Sequence, residues 1–227
     1  MVKIALCGKM RSGKDSVAAH LTQQYGFVRF AFGDGIRKVC RELFPDRFAG
    51  DRKPRALLQG VGQAMRAFDP DVWVNDCFRR IADKERMDNA YYEMPWNAHA
   101  RLPFRPVITD LRQPSEYERL RAEGFVIVRV TCDEAIRRQR IIDAGDAFDE
   151  RDLTHETELH ADGFAVDFDI ENNGTLAELH AKVDAVMADL SRKQLELEFM
   201  TQYGVSLRDA EESINEMYRI QMEGEAE

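Results

Sequence analysis

The sequence predicts an α/β fold in which a parallel sheet is covered by helices on both faces. Three observations carry that expectation. Apolar strand-like runs alternate with segments of helical spacing along most of the chain. The first run, Val2 to Cys7, passes directly into the glycine-framed loop Gly8-Lys9-Met10-Arg11-Ser12-Gly13-Lys14-Asp15, and that loop opens a helix. The length, 227 residues, suits one such domain with a sizeable core.

The elements follow in order. Asp15 to Tyr25 carries Val17, Ala18, Leu21 and Tyr25 on one face, and Gly26 stops it. Phe27 to Phe32 is the second strand. Asp34 to Phe44 has helical spacing (Ile36, Val39, Cys40, Leu43) and ends at Pro45. After a polar loop, one helix is expected with Leu57, Leu58, Val61, Met65 and Phe68 on one side. Another starts near Asp71 with Val74, Cys77, Phe78 and Ile81. Residues 87 to 105 lack a period, hold Pro95 and Pro103, and read as an irregular excursion. Pro106 to Thr109 is a strand ending at Asp110. Pro114 to Glu123 is a helix opened by proline and closed by Gly124. Phe125 to Val130, Asp133 to Ala144 and Phe164 to Ile170 read as strand, helix and strand, around a charged stretch at 145 to 163. Thr175 to Leu190 is amphipathic. From Ser191 the chain is charged and helix-like, with Ile214, Met217 and Tyr218 as a weak stripe and a frayed end at 222 to 227. It reads either as a helix laid on the domain or as a contact in a homodimer. No internal repeat is present.

The opening loop fits the phosphate-binding pattern except at its last position. A strand, a glycine loop and a helix N-terminus present amide donors and a positive dipole end to an anion. Gly8 and Gly13 let the backbone approach phosphates, and Lys14 is set to bridge the terminal ones. Ser16 offers a hydroxyl to an inner phosphate. Asp15 stands where Ser or Thr usually serves Mg²⁺. It reads either as a carboxylate acting on that ion through water or as an acid favoured by the helix dipole.

Composition narrows the partners. Acidic residues outnumber basic ones 41 to 32, for a formal net charge of -9, which argues against a nucleic-acid backbone. The basic clusters at 52 to 55 and 137 to 140 then read as sites for small anions. Cys7, Cys40, Cys77 and Cys132 form no CxxC pair and read as buried thiols in a reducing compartment. With no leader-like start and no long apolar run, a cytoplasmic location without a membrane span is expected.

Asp110, at a strand end, reads as a second acid for Mg²⁺ waters or the acceptor, or else as a turn former. Arg112 can clamp an acceptor phosphate bidentately. Arg137, Arg138, Arg140 and Arg151 flank the charged stretch and read as arginines delivered by a lid or as a solvated face. Asn172-Asn173-Gly174 is a turn at a strand's carboxyl end, beside the crevice where a nucleotide would lie. The His155-Glu156-Thr157-Glu158 stretch and His160 lack a zinc-site spacing, and Trp73 and Trp96 read as packing residues.

These residues together resemble the phage-type deoxynucleoside monophosphate kinases. The matches run from the loop with Asp after its lysine, through Phe32-Gly33-Asp34-Gly35-Ile36-Arg37-Lys38, Arg55 to Gly62 and Arg66 to Trp73. They continue with Thr109-Asp110-Leu111-Arg112-Gln113-Pro114-Ser115-Glu116, residues 155 to 158, Asp169-Ile170 and Asn173-Gly174. The resemblance covers residues 2 to about 190. It implies a P-loop kinase three-layer fold with a five-stranded parallel sheet. The domain would be 1–190, with a helical acceptor arm at about 34–105 and a short lid at about 144–163, followed by a C-terminal helical extension at 191–227. It implies transfer from ATP, with Mg²⁺, to a nucleoside 5′-monophosphate.

Carried over by position, Gly8, Arg11, Ser12, Gly13, Lys14, Asp15 and Ser16 would serve ATP, with Asn173 and Gly174 lining its adenine. Asp15 and Asp110 would serve Mg²⁺. Phe32, Asp34, Arg37, Lys38, Arg55, Gln59, Arg66, Trp73, Asp110 and Arg112 would serve the acceptor, with Phe32, Gln59 and Trp73 as candidates for a base pocket. Lys14, Arg112, Arg137 and Arg140 would stabilise the transferring group. Two alternatives share parts of the pattern: phosphomevalonate kinases of the animal type, and a nucleotide-binding module without transfer activity.

Overall fold

A computed structural model describes residues 2–50, 54–94, 103–143 and 162–224. By its internal contacts the chain forms two units, Met1–His180 and Ala181–Glu227.

The first unit is built on five parallel strands: β1 (Ile4–Cys7), β2 (Val28–Phe30), β3 (Pro106–Ile108), β4 (Val126–Thr131) and β5 (Phe168–Glu171). Their order is β2-β3-β1-β4-β5. β1 is central, with Ile4 facing Val107 on one side and Val126 on the other. Its four residues are at most 1% exposed, as a strand buried on both faces requires. Ala5 and Cys7 join a core with Phe30, Phe32, Val74, Cys77, Ile108, Leu111, Leu120 and Ile127. Ile4 and Leu6, by alternation, face the other side.

The helices of this unit are α1 (Lys14–Tyr25), α2 (Gly33–Leu43), α3 (Arg55–Phe68), α4 (Val72–Tyr92), α5 (Pro114–Ala122) and α6 (Glu134–Asp143). A 3-10 turn at Pro45–Phe48 follows α2. Gly26, at φ 68°, closes α1 by donating to the Leu21 carbonyl.

Some boundaries differ from the expectation. α4 continues to Tyr92, so the excursion expected from residue 87 starts later. Nothing between Asp71 and Tyr92 is a glycine or proline. β5 starts at Phe168 rather than 164. The Phe164 ring instead stacks on Tyr117 at 4.8 Å. The apolar stripe of α3 is not buried as expected: Met65 is 39% and Phe68 89% exposed, and Gly62 is this helix's buried residue. Leu43 on α2 is exposed as well.

α7 (Leu176–Tyr203) begins in the first unit and continues in the second, which also holds α8 (Leu207–Gly224). α7 opens on a capping box. Thr175 N donates to Glu178 Oε2, and Glu178 N donates to Thr175 Oγ1 at 3.2 Å. It runs past residue 190 because no breaker occurs before Gly204, whose φ of 63° ends it. Within the second unit, Arg192 on α7 pairs with Glu196 at 2.9 Å and donates to Asn215 of α8 at 3.0 Å. Ile214 is buried, while Met217 and Tyr218, expected on the same stripe, are about half exposed.

All four cysteines are free, and three are buried. Burial pushes the Cys7 thiol up to about 11 and the Cys77 thiol to about 12. Among the described residues no helix is long and apolar enough to cross a membrane.

Candidate active site

Each strand ends at the same edge of the sheet, and each end delivers part of the site. After β1 comes the loop Gly8 to Gly13. Three of its residues take left-handed backbone: Gly8 at φ 129°, Arg11 at 62° and Gly13 at 110°. A non-glycine residue held there is uncommon and marks a constrained loop. The two glycines are also required sterically. A Cβ on Gly8 would collide with the Val130 carbonyl oxygen, and one on Gly13 with the Asn172 side-chain amide.

Lys14 is the first residue of α1 and is 9% exposed. Its ammonium donates to the carbonyls of Gly8 at 2.6 Å and Lys9 at 2.8 Å, which hold it over the loop. The Ser12 hydroxyl oxygen is buried with no hydrogen-bond partner. A buried unsatisfied hydroxyl in a loop of this kind suits an anion as its partner. Asp15, in the first turn of α1, is exposed, and Ser16 is half-buried.

The loop is held from behind by β5 and α6. Asn172, directly after β5 and 6% exposed, donates through its side-chain amide to the Ser12 carbonyl at 2.7 Å. Arg140 donates to the Asn172 backbone carbonyl at 3.1 Å and to Cys132 Sγ at 3.3 Å. Arg137, its side chain 3% exposed, pairs with Glu134 at 2.9 Å and reaches the Met10 carbonyl at 3.4 Å. Both arginines therefore lie on α6 as expected, engaged with the loop and its Asn172 support. Asn173 accepts from Asp133 N at 2.8 Å. Gly174 has no room for a Cβ beside the Glu178 carboxylate. On the loop's outer side Lys9 pairs with Asp162 at 2.9 Å.

The facing half of the site follows β2 and β3. Asp110 Oδ1 accepts from Phe32 N at 2.8 Å and Oδ2 from Gly33 N at 2.9 Å, so its carboxylate clamps the start of α2. The Arg37 guanidinium and Asp110 Oδ2 lie 3.5 Å and 3.2 Å from where a Gly33 Cβ would sit. Asp34 meets Arg29 at 2.9 Å, Arg37 at 3.2 Å and Arg80 at 3.7 Å. Arg80 also pairs with Asp76 at 2.8 Å and donates to the Ala31 carbonyl at 2.8 Å. Arg55, opening α3, lies 4.0 Å from Met10 Sδ of the phosphate loop. Arg112 is half-buried on the turn after β3. Its backbone N–H, with that of Gln113, donates to Glu116. Arg66 is half-buried on α3, while Lys38 on α2 and Gln59 on α3 are exposed.

Two of the three base-pocket candidates are buried, Trp73 as its packing reading expects. Phe32 is 2% exposed within the core. Trp73 is 4% exposed, and its indole N–H donates to the Gly62 carbonyl at 3.1 Å, tying α4 to α3. An indole buried this way needs its N–H satisfied, and the tight helix contact at Gly62 supplies the acceptor. Trp96, Arg151, residues 155 to 158, His160 and most of the expected lid at 144–163 lie outside the described residues.

No family model matches the chain. Over 212 residues it is 25% identical to an Acanthamoeba polyphaga mimivirus protein named "Putative deoxynucleotide monophosphate kinase", a match covering 85% of this chain and 99% of that one. A stretch of 88 residues is 32% identical to "Uncharacterized protein ORF76" of Ictalurid herpesvirus 1 (strain Auburn). It spans 37% of this chain and 36% of that relative's length. Among solved structures, TT1252 from Thermus thermophilus shares the fold with a TM-score of 0.50 at 23% identity, over 83% of this chain and 97% of its own. The mimivirus match supports a protein of the nucleoside monophosphate kinase type.

Four residues of this site lie outside the set of site residues that the sequence proposes. Asn172 holds the phosphate loop from 160 positions away, and the neighbouring Asn173 draws attention instead. Arg80 and Asp76 brace the start of α2 from the middle of α4, where they look like an ordinary solvated pair. Glu116 is 4% exposed, and burial together with the nearby Asp110 charge pushes its carboxyl up to about 7. Its sequence signals are a place at the end of the Thr109 to Glu116 segment and a position three residues into a helix, where a capping acid is expected.

Proposed function

We propose that the chain transfers the γ-phosphoryl group of ATP to a nucleoside 5′-monophosphate, a deoxynucleotide in the first instance. The observation that carries this reading is the pairing of two anion-binding halves on one sheet edge. One is the Ser12–Lys14 cradle. The other is the arginine-bearing side at Arg37, Arg55, Arg66 and Arg112, with Arg55 beside Met10 of the loop. The mimivirus relative, matched over 99% of its length, carries a deoxynucleotide monophosphate kinase name, which supports this reading.

In this reading Lys14 and the loop amides hold the β- and γ-phosphates. The arginines hold the acceptor phosphate, whose ionised oxygen attacks the γ-phosphorus. The bond from that phosphorus to the β–γ bridging oxygen breaks, ADP leaves, and the acceptor becomes a diphosphate. Positioning and charge neutralisation suffice, so no catalytic histidine is invoked. A Mg²⁺ ion held by Asp15, and through water by Asp110, would supply charge neutralisation to the triphosphate. A site of one or two carboxylates plus substrate oxygens is ordinary for that ion. Asp15, exposed at the start of α1, is the acid available to it. Asp110 spends one lone pair of each oxygen on backbone N–H groups and keeps others for metal-bound water. Asn173 and Gly174 flank the adenine.

A second reading has one observation in its favour. With Phe32 and Trp73 buried, Gln59 is the exposed member of the three base-pocket candidates. An acceptor presenting phosphate without a base, such as phosphomevalonate, fits that surface. A coupled ADP-release assay with dCMP, dGMP, dTMP, dAMP and phosphomevalonate decides. Turnover with a deoxynucleotide supports the first reading, turnover with phosphomevalonate alone supports the second, and ATP binding without any transfer ends both.

A further inference from the structure

Among the described residues, Glu116 is the one carboxylate buried in the facing half of the site, and the transfer step above gives it no work. It is 4% exposed, the third residue of α5, and directly follows the Asp110–Arg112 turn. Both hydrogen bonds to its carboxylate end on a single oxygen, Oε2, which accepts from Arg112 N at 2.8 Å and Gln113 N at 2.9 Å. The charged groups that face it come from two other elements: Asp110 at the end of β3 and Arg66 on α3. An apolar residue would fill the same volume without the cost of burying a carboxyl. What the carboxyl adds is a fixed backbone at the residue whose guanidinium is to grip the acceptor.

We propose that Glu116 is a positioning residue for acceptor binding: its buried side chain pins the Arg112–Gln113 turn and thereby aims Arg112 at the acceptor phosphate. The inference rests on the phosphoryl-transfer reading. Asp110 clamps Phe32 and Gly33 at the start of α2 in the same manner, so two neighbouring carboxylates fix the two backbone segments that border the acceptor. Because one oxygen takes both N–H groups, glutamine can replace glutamate and keep the pin. Alanine cannot. A displacement of about 1 Å in a positioning group is enough to cost on the order of 100-fold.

The test is steady-state kinetics with the best acceptor of the panel, on wild type, Glu116→Ala, Glu116→Gln, Arg112→Ala and the Glu116→Ala/Arg112→Ala double variant. Expected results are an acceptor KM raised at least tenfold in Glu116→Ala, with the ATP KM within twofold and Glu116→Gln within threefold of wild type. The double variant should match Arg112→Ala alone, because the effect runs through that side chain. Amide exchange at Arg112 and Gln113 should speed up in Glu116→Ala and not in Glu116→Gln. If Glu116→Ala does not fold, Glu116→Asp, one methylene too short for both N–H groups, replaces it. Additive losses in the double variant, equal damage from Ala and Gln, or unchanged amide exchange overturns the inference while leaving the transfer reading intact. A wild-type protein that phosphorylates no acceptor overturns both.

Discussion

In the proposed transfer reading the site has a nucleotide half and an acceptor half, and the two are built by different means. The nucleotide half is a single turn of chain, Gly8 to Lys14, whose shape is set by left-handed backbone at three positions and by two glycines with no room for a side chain. The acceptor half draws on β2, α2, α3, α4 and the turn after β3. It is held by half-exposed ion pairs and by carboxylates that grip backbone N–H groups. A contiguous, sterically fixed half binds a ligand common to many enzymes. A dispersed half can be retuned one side chain at a time, which suits the part of the reaction that distinguishes substrates.

The sharpest way to break this comparison is at Lys14. Lys14→Ala should lower transfer with every acceptor by ~10³-fold or more, the scale for losing one preorganised charge stabiliser. The fold should persist, since the ammonium is held by two carbonyls of its own loop. Single-turnover assays with circular dichroism as a control check both points. Near-normal turnover would remove the nucleotide half from the mechanism.

The acceptor half carries a pH signature at Glu116. The carboxyl of Glu116 titrates near 4.5 when exposed and is pushed up to about 7 in the fold, so the folded state holds its proton the more tightly. Above pH 4.5 the unfolded chain releases that proton first. Stability then falls as pH rises toward 7 and levels off beyond it. At about 1.4 kcal/mol per decade, Glu116→Gln should gain about 2 kcal/mol on wild type between pH 5 and pH 8. Denaturant midpoints at the two pH values measure this, and a parallel pair of pH curves would refute it.

A third change probes how tightly the nucleotide half is packed. Gly13→Ala meets both an unfavourable φ of 110° and the Asn172 amide, and should destabilise by about 2 kcal/mol. Adding Asn172→Ala removes the collision but not the backbone strain, so it should recover part of the loss. Full recovery would mean that sterics alone hold that position at glycine.

How much of this was legible in the sequence follows from the same contrast. The phosphate loop could be read because its glycines, lysine and helix start are adjacent, and the parallel sheet because its strands are apolar runs between helical segments. The supports could not. The contact of Asn172 with Ser12 spans 160 positions, and nothing local separates Asn172 from Asn173. Phe32 and Trp73 stand as base-pocket candidates in the sequence, Trp73 also as a packing residue, because aromatic type alone does not say which way a ring turns; packing turns both inward. The change in composition at Ser191 suggested a boundary, yet charged residues continue a helix well and α7 ends where Gly204 supplies the first breaker.

The smallest expected effect lies at Arg80 and sharpens the comparison most. Its guanidinium is 26% exposed and touches Asp34, Asp76 and the Ala31 carbonyl, so it braces β2, α2 and α4 without belonging to any recognised motif. Ion pairs this accessible are screened, and Arg80→Leu should cost stability by no more than ~1 kcal/mol. If the acceptor half is a dispersed network, that small loss should still appear as a few-fold rise in acceptor KM with the ATP KM unchanged, because α2 carries Asp34 and Arg37. If Arg80→Leu leaves both constants alone, the network at Asp34 is scaffold, and acceptor recognition contracts to Arg112 and its immediate neighbours.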